Sequence, residues 1–275
     1  MSNPAYRLLV ILGCAAALAA CQKPAARPAP SAAPATADEA ASAYIVPPEL
    51  KAAQHSAAGG VELRGTSRPD AQIRLLTSDG GMLSAVADHS GYWEMRAPSV
   101  DPRLFALAEE TGGRLVRSRG FIAILPAPGI PALVLRPGAG PHAFGSAHSQ
   151  PVIGAVDFDR GGAGVVSGLA APGQALRVQV DGAEVGEGRS DAAGYFSISL
   201  AEMLKPGAHT AVVRAVNDQG QLGQPAQASF EVGPASMPLT PPLTAQRLEG
   251  GWRIDWVTPG GGVQTTIAFD TEPRA

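Results

Sequence analysis

The feature that most constrains this chain is an ungapped self-similarity: residues 65–95 return 103 positions later as residues 168–198. Gly65 matches Gly168, Pro69 matches Pro172, Arg74 matches Arg177, Asp88 matches Asp191, Gly91 matches Gly194 and Tyr92 matches Tyr195; Trp93 against Phe196 keeps an aromatic. One supersecondary unit occurs twice, so both copies are expected to share one fold. Pro69-Asp70 and Pro172-Gly173 are turn dipeptides, in which Pro fixes φ and Asp or Gly tolerates the conformation demanded at the next position. Ile73, Leu75 and Thr77 then alternate with polar neighbours, as do Leu176, Val178 and Val180, the period of two that buries one face of a sheet. Ser78-Asp79-Gly80-Gly81 and Asp181-Gly182 predict hairpin turns with positive φ. Asp88-His89-Ser90-Gly91 and Asp191-Ala192-Ala193-Gly194 predict the next turn, and an aromatic strand leaves each. The unit is a meander of antiparallel strands.

Composition agrees. With 33 Gly and 25 Pro against 16% charged residues in 275, the chain favours short strands and many turns, and its length suits about two domains. In its Pro-Gly turn, Asp-Gly hairpin and Asp-x-x-Gly turn before an aromatic, the stretch from about residue 60 to 233 resembles bacterial immunoglobulin-like repeats of envelope proteins and the related carboxypeptidase-regulatory-like sandwiches. The second copy fits more completely, with Lys205-Pro206-Gly207 and Asn217-Asp218-Gln219-Gly220 punctuating its closing half. The resemblance implies an all-β chain of two immunoglobulin-like β-sandwiches in tandem, at 59–138 and 153–233, joined by a linker at 139–152. Residues 234–275 read as a Pro-rich joint and a C-terminal β-hairpin, in which Trp252, Ile254 and Trp256 alternate with Arg253 and Asp255. A lone hairpin is marginal in water, so it is expected to dock on the second sandwich or to be donated to a partner.

The N-terminus carries Arg7 and then an apolar run from Leu8 to Ala20, the pattern of a signal peptide at 1–20. Leu18-Ala19-Ala20-Cys21 at its end resembles the lipobox of bacterial lipoproteins, which implies a lipid on Cys21. Gln22 rather than Asp follows the cysteine, and the resemblance to Gram-negative lipoproteins implies passage to the outer membrane, facing the periplasm. Several acyl chains would hold firmly, since each buried methylene contributes about 0.8 kcal/mol. Cys14 lies within the expected leader, so the mature domains would hold neither a disulfide nor a cysteine nucleophile. From residue 21 to 58 the Ala/Pro-rich composition predicts a semi-extended spacer, with Leu50 to Ala58 compatible with a helical turn.

Catalytic signals are absent from the sequence. There is no G-x-S-x-G, no H-E-x-x-H and no P-loop, and the five histidines are scattered. Asp157 and Asp159, one residue apart before Gly161 and Gly162, are the most metal-like pair, but the further ligands of a full calcium loop are missing, a turn with Asp capping backbone N–H groups explains them better, and no metal is expected. A formal charge of -3 without a basic cluster speaks against nucleic acid. No cofactor is implied. The expected function is a non-catalytic envelope lipoprotein that docks or scaffolds another envelope protein. The alternative is a peptidoglycan- or polysaccharide-binding module using Trp252 and Trp256 as stacking platforms, and an enzyme accessory domain ranks last.

Overall fold

The computed structural model describes residues 45–145, 147–234 and 242–270. Residues from Ile45 onward form one compact unit. Every regular element described there is a β-strand.

The first sandwich contains β1 (Glu49–His55), β2 (Val61–Thr66), β3 (Gln72–Leu76), β4 (Met82–Val86), β5 (Tyr92–Ala97), β6 (Arg103–Thr111), β7 (Arg114–Arg117), β8 (Phe121–Ile124), β9 (Ala132–Arg136) and β10 (Ala139–Ala143). One sheet has the order β1-β2-β5; the other runs β10-β9-β8-β6-β3-β4, with β7 on β6. The second sandwich contains β11 (Val152–Asp159), β12 (Gly164–Leu169), β13 (Ala175–Val180), β14 (Ala183–Arg189), β15 (Tyr195–Ser199), β16 (Gly207–Val216) and β17 (Leu222–Val232). A final meander adds β18 (Leu243–Leu248), β19 (Gly251–Val257) and β20 (Val263–Phe269). The second sandwich's sheets are ordered β15-β12-β11-β20-β19-β18 and β14-β13-β16-β17. In both copies a sheet of strands one, two and five faces a sheet built on strands four, three and six, which is the immunoglobulin-like arrangement.

The repeat extends to details that the strand pattern alone does not dictate. A bulge interrupts the β1–β2 ladder between Leu50 and Ala52, and the β11–β12 ladder between Ile153 and Ala155, 103 residues on. Gly65 pairs with Trp93 and Gly168 with Phe196. Asp88 Oδ1 accepts the N–H groups of Ser90 and Tyr92 at 2.8 and 2.9 Å; Asp191 Oδ1 accepts those of Ala193 and Tyr195 at the same distances. Asp70, where the second copy has Gly173, has φ of 57° against 69°, a left-handed conformation that Asp tolerates better than most residues.

Three apolar cores hold the unit together. Leu63, Ile73, Leu75, Trp93 and Leu107 fill the first sandwich, and Val156, Phe158, Val178, Phe196 and Val213 the second. The third lies between them: Ala123, Leu125, Leu133 and Leu135 of the first module meet Ala155, Trp252, Ile254, Trp256 and Ala268. β8 and β9 are therefore buried on both faces, with Ile122 and Ile124 turned to the first core, and their unbroken apolar run is what two-sided burial requires.

Several expectations are corrected. Residues 50–55 form a strand, not a helical turn, because alternate side chains such as Leu50 close the first core. Residues 139–152, expected as a linker, include β10, which extends the first module's sheet beside β9. The C-terminal hairpin gains a third strand, β18, and docks in cis: β20 pairs antiparallel with β11 from Ala155↔Ala268 to Asp159↔Gln264. Leu18, Ala19, Ala20, Cys21 and most of the spacer lie outside the described residues.

Candidate functional site

Chemically distinctive side chains converge at the junction of the two sandwiches. Five large apolar residues there, Leu133, Leu135, Trp252, Ile254 and Trp256, are buried. At about 2 kcal/mol each they contribute on the order of 10 kcal/mol, comparable with the whole stability of an ordinary domain. The two modules are thus held as one body rather than as beads on a string.

Trp252 and Trp256, expected as sugar-stacking platforms, are 7% and 0% exposed. Both belong to the face of β19 that packs on the first module; Phe121 meets the Trp256 ring edge-on at 6.2 Å, and the Arg247 guanidinium covers Trp252 at 5.4 Å. Neither ring is free to stack on a sugar. The correction has a plain cause: a tryptophan on an alternating strand is read as exposed or buried only once the covering sheet is known, and that sheet belongs to another module.

β10 supplies the polar half of the junction. Tyr195 Oη donates to Gly140 O at 2.8 Å, Ser167 Oγ donates to Pro141 O at 2.9 Å, and the Gly140 N–H donates to Ser197 Oγ at 3.0 Å. A Cβ on Gly140 would lie 2.6 Å from that of Ser167, so only glycine lets β10 approach this closely. The His142 ring lies against Tyr195, 4.5 Å between centroids. Burial, reinforced by the charge of Arg136, pulls the His142 imidazole below its ordinary value, and burial pushes the Tyr195 phenol up. The repeat carries no signal for these contacts: Tyr92, the repeat partner of Tyr195, is exposed, so identical positions serve different ends.

Asp157 and Asp159 are separated by role. Asp159 Oδ1 accepts the N–H groups of Gly161 and Ala163 at 2.8 and 3.0 Å, as a turn former. Asp157 is 2% exposed in the middle of its sheet, accepting hydrogen bonds from Gln264 Nε2 and Thr266 Oγ1. Burial pushes its carboxyl up to about 7, against those two bonds, and the Asp159 charge adds to the rise. Among the described residues no three His, Cys, Asp or Glu side chains converge as a metal site would require.

A second titratable pair lies apart from the junction. His209 Nδ1 meets Asp181 Oδ2 at 2.6 Å and Nε2 meets Lys205 O at 2.7 Å, an arrangement that suits a doubly protonated ring. Burial alone lowers the His209 imidazole, but the Lys205 carbonyl and the Asp181 carboxylate outweigh it and hold the group above its ordinary value. The Thr210 N–H, and then His209, lower Asp181.

No family model and no curated protein matches the chain. Among solved structures, the BSP domain of a biofilm-associated protein is 15% identical over 69% of this chain, with TM-score 0.25, and the chain spans 30% of that structure. A central fibronectin-III array of RIM-binding protein is 14% identical, TM-score 0.24, covering 84% of this chain and 88% of the other. The D0-D1 domain of intimin is 12% identical, TM-score 0.21, covering 62% and 90%. The fold assignment stands on strand order and register: this is an all-β protein of two immunoglobulin-like sandwiches, the second completed by the chain's own C-terminal strands.

Proposed function

We propose that the chain is a non-catalytic outer-membrane lipoprotein, tethered through Cys21 and facing the periplasm, that docks or scaffolds another envelope protein. The observation that carries the docking half is the third apolar core, which joins the two sandwiches through one continuous apolar interface. Two modules packed on one another hold a partner-facing surface in place, and the strongly perturbed side chains are engaged in turns, ladders or the module junction. The tether rests on Leu18-Ala19-Ala20-Cys21 behind an apolar run with a single flanking Arg7. With both tryptophans covered, the polysaccharide reading has lost the side chains that recommended it.

The test is fractionation with whole-cell cross-linking. The wild-type chain should sediment with the outer membrane and Cys21→Ser should leave the membrane fraction. Cross-linking should then trap a defined envelope protein with the wild type. Equal membrane retention of Cys21→Ser would refute the tether, and saturable retention on purified sacculi, without any protein cross-link, would refute the docking role in favour of a glycan.

A further inference from the structure

We propose that Asp157 makes the junction between the two sandwiches a pH-gated latch, closed when its carboxyl is protonated and loosened when it ionises. The placement follows from register. Asp157 is opposite Thr266, and Thr266 is opposite Ile254; Gln264 is opposite Trp256. Directly paired residues share a face of the sheet, so Asp157, Thr266 and Gln264 lie on the face that carries Ile254 and Trp256 into the third core. The carboxyl therefore sits within the inter-module interface, not in the core of either sandwich.

Burial disfavours its anion and outweighs the two hydrogen bonds it accepts, which favour that form. The donors that reach it, Gln264 Nε2 and Thr266 Oγ1, are uncharged. From β8, β9 and Leu125 just past β8 the third core offers Ala123, Leu125, Leu133 and Leu135. The titratable groups that act on it are Asp159 on its own strand, which repels an anion, and Tyr195 on β15, whose phenol is raised and hence neutral; His142 on β10 packs against Tyr195. Arg136 on β9 acts on His142 and Tyr195, and Arg253 on β19 is paired with Asp255 at 3.2 Å. A buried anion served only by neutral donors is costly, and water or separation of the two faces relieves it.

The sign is set by linkage. The folded carboxyl titrates near 7, above the 3.8 of a free aspartate, so its stabilisation is complete below about 3.8 and is lost as pH rises through about 7. His142 acts oppositely: its lowered imidazole favours the fold when neutral, a contribution complete above its ordinary 6.5 and lost as pH falls from there through its lowered folded value. The two responses are separable by direction, and rising pH loosens the junction through Asp157.

The test uses the full chain carrying Trp93→Phe, a change the second repeat already tolerates as Phe196, so that Trp252 and Trp256 alone report. Acrylamide quenching should rise about twofold from about pH 6 to about pH 8.5, with its midpoint near 7, and should stay flat over that range in Asp157→Asn. Flat quenching in the parent, or an equal rise in Asp157→Asn, would overturn the proposal. If Asp157→Asn does not fold, hydrogen exchange of the unaltered chain decides: protection lost in β8, β9 and β20 relative to β3 and β13 as pH rises supports the latch, and loss shared equally by all strands refutes it.

Discussion

Replacing Gly168 by alanine should open the second sandwich at its most crowded point. A Cβ there would lie 2.9 Å from both Gly154 N and Phe196 Cζ, and closer still to the Val152 carbonyl oxygen. Comfortable contact needs about 3.5 Å, so the phenyl ring must yield by roughly 0.6 Å. The ring can do so, but the β11 backbone cannot without lengthening its ladder to β12. Overpacking of this kind costs about 1–3 kcal/mol, and a strained ladder bond about 1 kcal/mol more, so the expected loss is about 3 kcal/mol. For a unit of this size the melting temperature should fall by roughly 10 °C. Gly65→Ala should behave alike in the first sandwich, since its Cβ would collide with the Glu49 carbonyl and the Trp93 ring. Urea unfolding of the full chain, followed by tryptophan emission and circular dichroism, measures both. Gly260→Ala, with nothing near its Cβ, is the neutral control. A loss below about 1 kcal/mol at Gly168, or one no larger than at Gly260, would show that the aromatic-over-glycine pairing is not what fixes the repeat.

Trp256→Ala should cost about 3–5 kcal/mol as a buried cavity and should raise proteolysis between the modules while leaving the Trp93 core intact; unchanged cleavage would contradict the shared third core. Gly140→Ala should displace β10 from Ser167, read as greater quencher access to Trp252 and Trp256, whereas unaltered access would mean that β10 is not a clamp. Tyr195→Phe removes the bond to Gly140 O and should lower stability by about 1 kcal/mol in urea. His209→Gln should destabilise more at about pH 5 than at about pH 8, because the raised imidazole contributes most below its unfolded value and loses that contribution as pH rises through its folded one; melting curves at both pH values would expose the opposite order.

How much of this was legible in the sequence can be seen residue by residue. The repeat announced both meanders, and Asp181-Gly182, with φ of 51° and 85°, forms the positive-φ hairpin that its dipeptide predicts. β1 was misread because Lys51-Ala52-Ala53-Gln54 has neither a strand's alternation nor its residue types; its conformation comes from pairing with β2, which local propensity does not contain. The junction was missed for a related reason. Phe121 to Leu125 is continuously apolar, a signature of burial on both faces, but one run cannot say which partner covers the second face. Asp157 read as half of a loop carboxylate pair, and only the register with Thr266 and Gln264 moves it inside. Local turn chemistry was readable; contacts between modules were not, since they depend on which faces meet.

The strand that closes the second sandwich, β20, lies far along the chain from its partner β11. β11 at residues 155–159 must wait for residues 264–268 before its edge is paired, and such distant pairings form late because the intervening chain must first be ordered. Until residues 264–268 are in place, the first sandwich has all of its strands while β11 presents a bare edge that a neighbour's strand can pair with. Truncations that remove residues 264–268 should therefore produce aggregates rather than a merely shortened protein.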